Sequence, residues 1–229
     1  MTGEKFRRLH ERISDPLLTV LTIMLAVLLF VVAPLQVAGV ITGHYVGFVF
    51  LSVLILAAFM VSDSRVAVGM ILVAIALIIV AMAIEFQRPS VVENYLDAIA
   101  WLIAGFTLST VVARAVFAPG KVTFHRIIGA VLLYLNIGLI FVGLFDFVAL
   151  LKPDAFKGLD PLRGNGSIDV GNLIYFSFVT LTTTGFGDIA PVHAYARSLT
   201  LIEAIIGQLY PATLLARLVT LELEDRHNS

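Results

Sequence analysis

The sequence predicts an all-α membrane protein with six transmembrane helices per chain. Hydrophobic residues make up 59% of the 229 residues, charged residues make up 14%, and the mean hydropathy is +1.00. An ordinary soluble domain has about half apolar and roughly a quarter charged residues. The net charge of −1 excludes the basic surface that a nucleic-acid partner requires, and the absence of cysteine excludes disulfides and thiolate chemistry.

Six apolar segments are long enough to cross a hydrocarbon core, which takes about 20 helical residues. They are residues 17–41, 44–61, 65–84, 96–117, 127–151 and 195–218. With the N-terminus inside, ten of the 15 Lys and Arg residues lie on the cytoplasmic side and five lie outside. This distribution predicts cytoplasmic termini and a multi-pass protein of a cell membrane, for which we expect a bacterial inner membrane.

One polar stretch, TLTTTGFGDIAP at residues 180–191, lies between two apolar segments. The apolar run before it, residues 170–181, would form a helix of about 18 Å, too short to span and suited to a re-entrant helix capped by Asp169. Irregular backbone at membrane depth is tolerated where protein buries it or where it lines a water-filled path. Gly185 and Gly187 alternate with bulkier residues, and a strand of alternating handedness turns successive carbonyls to one side. The stretch therefore indicates a pathway.

Residues 182–188, TTTGFGD, resemble the selectivity filter of the tetrameric potassium channels. The usual filter reads threonine, valine, glycine, tyrosine or phenylalanine, glycine, aspartate, and the resemblance in architecture covers the last third of the chain. It implies a filter of Thr183, Thr184, Gly185, Phe186 and Gly187. The carbonyls of Thr183, Thr184, Gly185 and Phe186 would replace the hydration shell of K⁺, and the Thr183 hydroxyl would form the innermost ring. Because each chain has one such stretch, the resemblance also implies a homotetramer.

Two positions depart from the commonest form of this filter. Thr184 stands where valine is usual, which places a hydroxyl behind the filter. Phe186 stands where tyrosine is frequent, which removes a hydroxyl that often ties the filter to the pore helix.

Four residues around the filter are expected to support it. By resemblance Asp188 bonds to Tyr175 on the pore helix, with a solvated loop aspartate as the alternative. Thr182 either supports the filter or is a satisfied hydroxyl at the helix end. Glu203 is an ionisable residue within a crossing, which by default marks a function or a buried partner. We expect it to bond to the threonines behind the filter and brace them.

The last crossing contains three residues that we assign to the cavity and the gate. Gly207 occupies the position at which the inner helix of the family often bends, and Pro211 removes a helix hydrogen bond four residues later. Gln208 falls at a position that lines the cavity below the filter in the family, with helix packing as the alternative.

The six-crossing layout resembles that of voltage-gated channels and divides the chain into four regions. They are an interfacial helix (1–15), a four-helix sensor-like transmembrane domain (16–118), a pore domain with outer helix, pore helix, filter and inner helix (119–221), and a short cytoplasmic tail (222–229). The fourth crossing contains one basic residue, Arg114, whereas a voltage sensor needs about three or four gating charges per subunit. We therefore expect weak or absent voltage dependence.

The function predicted from these features is passive, potassium-selective conduction. The alternatives are a non-selective monovalent cation channel and a secondary transporter, although a transporter would show a second interrupted segment in an inverted half. An enzyme is not expected, because the five histidines are scattered at loops and ends without an H-E-x-x-H pair. We expect no cofactor apart from K⁺ as permeant ion. The expected partners are other copies of the chain and membrane lipids, with no soluble ligand domain in the chain.

Overall fold

The computed structural model describes residues 17–40, 52–53, 55–56, 68–73, 75–77, 79–80, 91–117, 124–159 and 170–227. The predicted interfacial helix 1–15, Asp169 and most of the second and third predicted crossings lie outside these described residues. A short apolar helix, Val68–Leu77, lies within the third predicted crossing.

Helix α1 (Leu17–Val37) forms the first predicted crossing. A π-helical turn occupies Leu28–Val32, where the Ala33 amide donates to the Leu28 carbonyl five residues back. Pro34 follows at once, and its ring would meet the carbonyl four residues earlier in a regular α-helix. The wider π turn accommodates that ring. The helix ends four residues before the predicted boundary, at a turn in which Gly39 has a φ of +71°.

Helices α2 (Val91–Val116) and α3 (Phe124–Leu151) form the fourth and fifth predicted crossings and pack antiparallel. The Asn136 amide of α3 donates to the Gly105 carbonyl at 2.8 Å and to the Ser109 hydroxyl at 2.7 Å on α2. Asn136 thus makes interhelical hydrogen bonds. Such polar side chains help helices associate where lipid leaves little hydrophobic driving force.

The last third of the chain contains a short helix and a long one. Helix α4 (Val170–Leu181) has the bounds predicted for the re-entrant helix, and α5 (Ala194–His227) contains the sixth predicted crossing. Helix α5 continues through most of the predicted tail 222–229, because residues 215–227 contain no glycine or proline and are rich in strong helix formers. The last turns of α1, Ala33–Val37, contact α4.

Three of the described helices are long and apolar enough to cross a membrane: Leu17–Val37, Asn94–Val116 and Phe124–Leu151. Two short strands, β1 (Phe156–Lys157) and β2 (Ala190–Pro191), pair antiparallel with Phe156 opposite Pro191 and Lys157 opposite Ala190. This pair was not predicted, since two residues are too few for an alternating pattern to show.

Candidate functional site

The chain leaves α4 at Leu181 in a tight turn that satisfies the last carbonyls of the helix. The Thr182 amide donates to the Phe178 carbonyl, the Thr183 amide to Thr180, and the amides of Thr184 and Gly185 both donate to Val179. The carbonyl of Leu181 accepts from the Tyr134 hydroxyl at 3.3 Å. The first amides after the helix therefore point back into α4, and none of these bonds uses a carbonyl of residues 182–186.

The backbone of the following residues alternates in handedness. Positive φ angles occur at Thr183 (57°), Gly185 (58°) and Gly187 (80°), each separated by one residue. A Cβ added at Gly185 or Gly187 would meet no atom within 4 Å, so the backbone conformation and not the available space requires glycine there. The alternation predicted from Gly185 and Gly187 is thus present and begins one step earlier, at Thr183. Thr183 is a β-branched residue in a region that such residues rarely adopt.

The hydroxyls of Thr182 and Thr184 form a pair 2.9 Å apart. Thr182 also donates to the Phe178 carbonyl at 2.7 Å, which anchors the pair to the end of α4. Thr182 is therefore a satisfied hydroxyl at the helix end, which was one of the two possibilities predicted for it. It also forms a hydrogen bond with Thr184.

The far end of the stretch is held by an aromatic side chain of α4. The ring of Phe186 stacks on Tyr175 with a centroid distance of 6.5 Å and an interplanar angle of 2°. The Tyr175 hydroxyl donates to the Asp188 carboxylate, as the resemblance implies, and this bond is the main reason that the pKa of Asp188 lies below its ordinary value. Tyr175 thus contacts two residues of the stretch.

The strand pair fastens the same end to the loop after α3. The amides of Val192 and His193 donate to the Ala155 carbonyl at 2.8 Å and 3.1 Å. A Cβ at Gly158 would lie 2.1 Å from the Asp188 carbonyl oxygen, so only glycine permits this approach. Phe156 of β1 packs in a cluster with Phe145 of α3 and Phe176 of α4, with centroid distances of 4.9–5.7 Å. No motif in the sequence predicts this anchor.

Glu203 is fully buried behind the stretch, but its partner is not a threonine. Its Oε1 lies 2.5 Å from the Ser177 hydroxyl oxygen, which in turn lies 2.8 Å from the Gly138 carbonyl oxygen of α3. Its Oε2 is buried without a hydrogen-bond partner among the described residues. The expected bond to the threonines is therefore wrong, because Glu203 lies beside Ser177 in α4, whereas the end of α4 packs against Gly207, one turn further along α5. Ser177, a hydroxyl within an apolar helix, was the missed signal.

Gly207 of α5 lies directly against the end of α4. A Cβ there would sit 1.8 Å from the Leu181 carbonyl oxygen and 2.7 Å from its carbon. The close approach of two backbones requires glycine at this position. Helix α5 continues through Pro211, and the kink expected there stays a prediction.

Gln208, the next residue, reaches the start of the stretch. Its Nε2 donates to the Thr183 hydroxyl oxygen at 2.9 Å, and both side chains are exposed in the single chain. Gln208 therefore contacts the stretch, and its assignment to the cavity stays a prediction.

A pair of tyrosines, one of them close to Gln208 in the sequence of α5, joins this helix to α3. Tyr134 and Tyr210 stack with centroids 5.6 Å apart, and the Tyr210 hydroxyl donates to the Ala130 carbonyl at 2.8 Å. Since Tyr134 also donates to Leu181, the pair connects the three helices around the stretch. No periodic pattern in the sequence singles out these two tyrosines.

The site is rich in oxygen atoms that suit a monovalent cation. In the part of the chain that the structure describes, no group of three or more His, Asp or Glu side chains is placed to hold a metal ion. Backbone carbonyls and threonine hydroxyls are the ligands that residues 182–187 offer, and such oxygens can replace water around a cation that passes through.

Comparison with known proteins gives one match, to a protein family. No curated protein and no solved structure matches the chain. The family described as "Ion channel" matches residues 100–223, which include α3, α4, the alternating stretch and most of α5. Because this match covers more than half of the 229 residues, the chain belongs to this ion channel family.

Proposed function

We propose that this ion channel is a homotetramer that conducts K⁺ selectively and passively through a filter formed by Thr183, Thr184, Gly185, Phe186 and Gly187. The observation that carries the proposal is the alternation of backbone handedness at Thr183, Gly185 and Gly187. It is supported by the amides of Thr184 and Gly185, which are held by Val179. A backbone of this kind can present successive carbonyl oxygens to one axis.

The chemistry follows from replacing water with fixed oxygens. Four chains around an axis would surround a bare K⁺ with carbonyl rings from Thr183, Thr184, Gly185 and Phe186, and with the Thr183 hydroxyls at one end. The C-terminal end of each α4 points its partial negative charge toward the cavity beside Thr183 and favours a partly hydrated cation there. Tyr175 and Asp188 hold the outer end, so that the rings keep their spacing as ions leave.

The apolar surface of the single chain agrees with assembly around an axis. Phe186 is 70% exposed, Leu201 65% and Leu209 57%. Large exposed side chains on α5 and on the filter itself form a surface that other copies of the chain would cover.

Reconstitution into planar bilayers tests this proposal. With mainly K⁺ on one side and mainly Na⁺ with a small, known concentration of K⁺ on the other, we expect unitary current steps and a reversal potential near the equilibrium potential of K⁺. The purified protein should have the mass of four chains. A reversal potential near zero would reject selectivity, an absence of unitary steps would favour a transporter, and a monomer would reject the filter.

A non-selective monovalent cation channel is the second candidate, and Thr184 favours it. Its hydroxyl bonds to Thr182 at 2.9 Å where the family usually has an apolar side chain. If this bond pulls the filter open, Thr184→Val should increase the permeability ratio of K⁺ to Na⁺. If the filter already selects K⁺, Thr184→Val should leave the reversal potential unchanged.

A further inference from the structure

We propose that Gln208 is a positioning residue for the innermost ion ring: its amide fixes the Thr183 hydroxyl oxygen so that this oxygen binds a dehydrated cation. The inference rests on the proposed function, because it takes Thr183 as the innermost residue of the filter. It adds a role for the inner helix that the family assignment does not contain.

The position of Gln208 is set by the backbone and not by its own side chain. Its neighbour Gly207 packs against the Leu181 carbonyl, which brings α5 as close to the end of α4 as two backbones can come. The Gln208 amide then spans the remaining gap to Thr183, with 2.9 Å between Nε2 and Oγ1. The contact joins residues that are 25 positions apart in the sequence and is therefore a tertiary feature.

The chemistry of a hydroxyl explains why this contact matters. A threonine oxygen has two lone pairs and one proton, and its rotor is free unless partners fix it. An amide donor from Gln208 occupies one lone pair and leaves the other to face a cation. A ligand that is already oriented loses less entropy when it binds, so the ring has a higher affinity for the ion.

The strained backbone of Thr183 makes such a fixing partner necessary. Its φ of 57° is unfavourable for a β-branched residue and persists only where surrounding contacts hold it. Two contacts do so: the Thr183 amide donates to the Thr180 carbonyl at 2.8 Å, and the hydroxyl accepts from Gln208. Removal of the second contact releases the side chain that the proposed ring uses.

Block by Ba²⁺, a divalent cation close in size to K⁺, tests the inference. In reconstituted channels, Gln208→Met keeps the side-chain volume but removes the donor. We expect the half-blocking concentration of Ba²⁺, applied from the side of the membrane that blocks more strongly, to rise about fivefold, the factor that corresponds to a hydrogen bond of ~1 kcal/mol. Leu151→Met is the control, because it introduces the same side chain at an exposed position at the end of α3, outside the filter and α5, and it should leave the block unchanged.

A double-mutant cycle separates positioning through Thr183 from a general effect on the cavity. In a Thr183→Ser background the hydroxyl remains, and Gln208→Met should again weaken the block about fivefold. In a Thr183→Val background the hydroxyl is absent, and Gln208→Met should have no further effect. An equal effect in both backgrounds would overturn the inference. Should the valine channel not conduct, the comparison of Gln208→Met with Leu151→Met still decides it.

Different results would contradict the proposed function and the proposed role of Gln208. If wild-type channels do not select K⁺ over Na⁺, the proposed function is wrong while the effect of Gln208 on Ba²⁺ block remains measurable. If wild-type channels select K⁺ and Ba²⁺ blocks the Gln208→Met channel at the same concentration as the wild type, Gln208 does not position the ring. The proposed function then stands.

Discussion

At the scale of single residues, the Ser177 hydroxyl lies close to two hydrogen-bond acceptors but has one proton to donate. It lies within hydrogen-bond distance of Gly138 O and Glu203 Oε1, but a hydroxyl donates only one proton. Both contacts form when Ser177 donates to Gly138 and the Glu203 carboxyl donates its own proton to Ser177. A buried carboxyl that keeps its proton also avoids the cost of an unpaired charge within the membrane.

Glutamine at position 203 can reproduce this arrangement through its amide donor. We therefore expect Glu203→Gln to keep the thermal stability of the protein, and Glu203→Ala to lower its free energy of unfolding by about 1–3 kcal/mol because Ser177 and the space behind α4 lose their partner. Thermal unfolding of the purified variants measures both. Ser177→Ala should weaken the effect of Glu203→Ala in a double mutant. Equal loss in the glutamine and alanine variants would show that a charged carboxylate is needed.

The bond between Tyr175 and Asp188 predicts a response to acid. Because the bond lowers the pKa of Asp188 in the folded protein, its contribution is present above the unfolded pKa, about 3.9, and is lost as the pH falls through the lower folded value. Tyr175→Phe removes the donor, so the carboxyl should titrate at a higher pH, closer to 3.9. Carboxyl-carbon NMR of the protein labelled at aspartate measures the shift. Tyr195→Phe, whose ring contacts His193 instead, is the control and should leave Asp188 unchanged.

At the scale of secondary-structure elements, the sequence predicted what local patterns encode and missed what packing decides. The bounds of α4 were predictable because a short apolar run lies between two polar stretches. The alternating φ angles were predictable from the spacing of Gly185 and Gly187. The partner of Glu203 was not predictable, since it depends on how α5 is rotated against α4. The pairing of Phe156–Lys157 with Ala190–Pro191 depends on where a loop returns, which no periodicity reports.

The approach of α5 to α4 leaves no room for a side chain at Gly207. In Gly207→Ala the new methyl group would overlap the Leu181 carbonyl, a backbone group that cannot swing aside. We expect the free energy of unfolding to fall by about 1–3 kcal/mol or more, as is typical of overpacking. We also expect lost or altered conductance. Thermal unfolding and single-channel recording measure the two effects.

Gly69→Ala provides the control for this substitution. No atom lies within 4 Å of a Cβ at that position, so alanine should be neutral or should stabilise its helix by up to about 1 kcal/mol. If Gly207→Ala behaves like Gly69→Ala, the contact between α5 and α4 is not closely packed in the functional channel.

At the scale of the whole molecule, the crossings predicted before the proposed pore resemble the layout of a voltage sensor, but the fourth of them carries one basic residue. Helix α2 corresponds to the fourth crossing, and Arg114 is its one basic residue, in the last turn. One charge that crosses the full membrane potential gains about 2.3 kcal/mol per 100 mV, and a steep response needs about three or four such charges per subunit. A residue at the end of a helix crosses only part of the potential. The contact of Ala33–Val37 with α4 instead supports a structural role for the first helix.

We therefore expect a shallow relation between conductance and voltage, which Arg114→Gln should leave unchanged. Macroscopic currents from reconstituted channels in symmetrical K⁺, stepped over about ±100 mV, measure the slope; over this range each charge that crossed fully would contribute about 2.3 kcal/mol per 100 mV. Lys157→Gln, which removes a charge from β1, controls for a general electrostatic effect on conduction. A steep curve that flattens in Arg114→Gln but not in Lys157→Gln would show that α2 moves in the field. A structural domain around the pore predicts the same slope in all three channels.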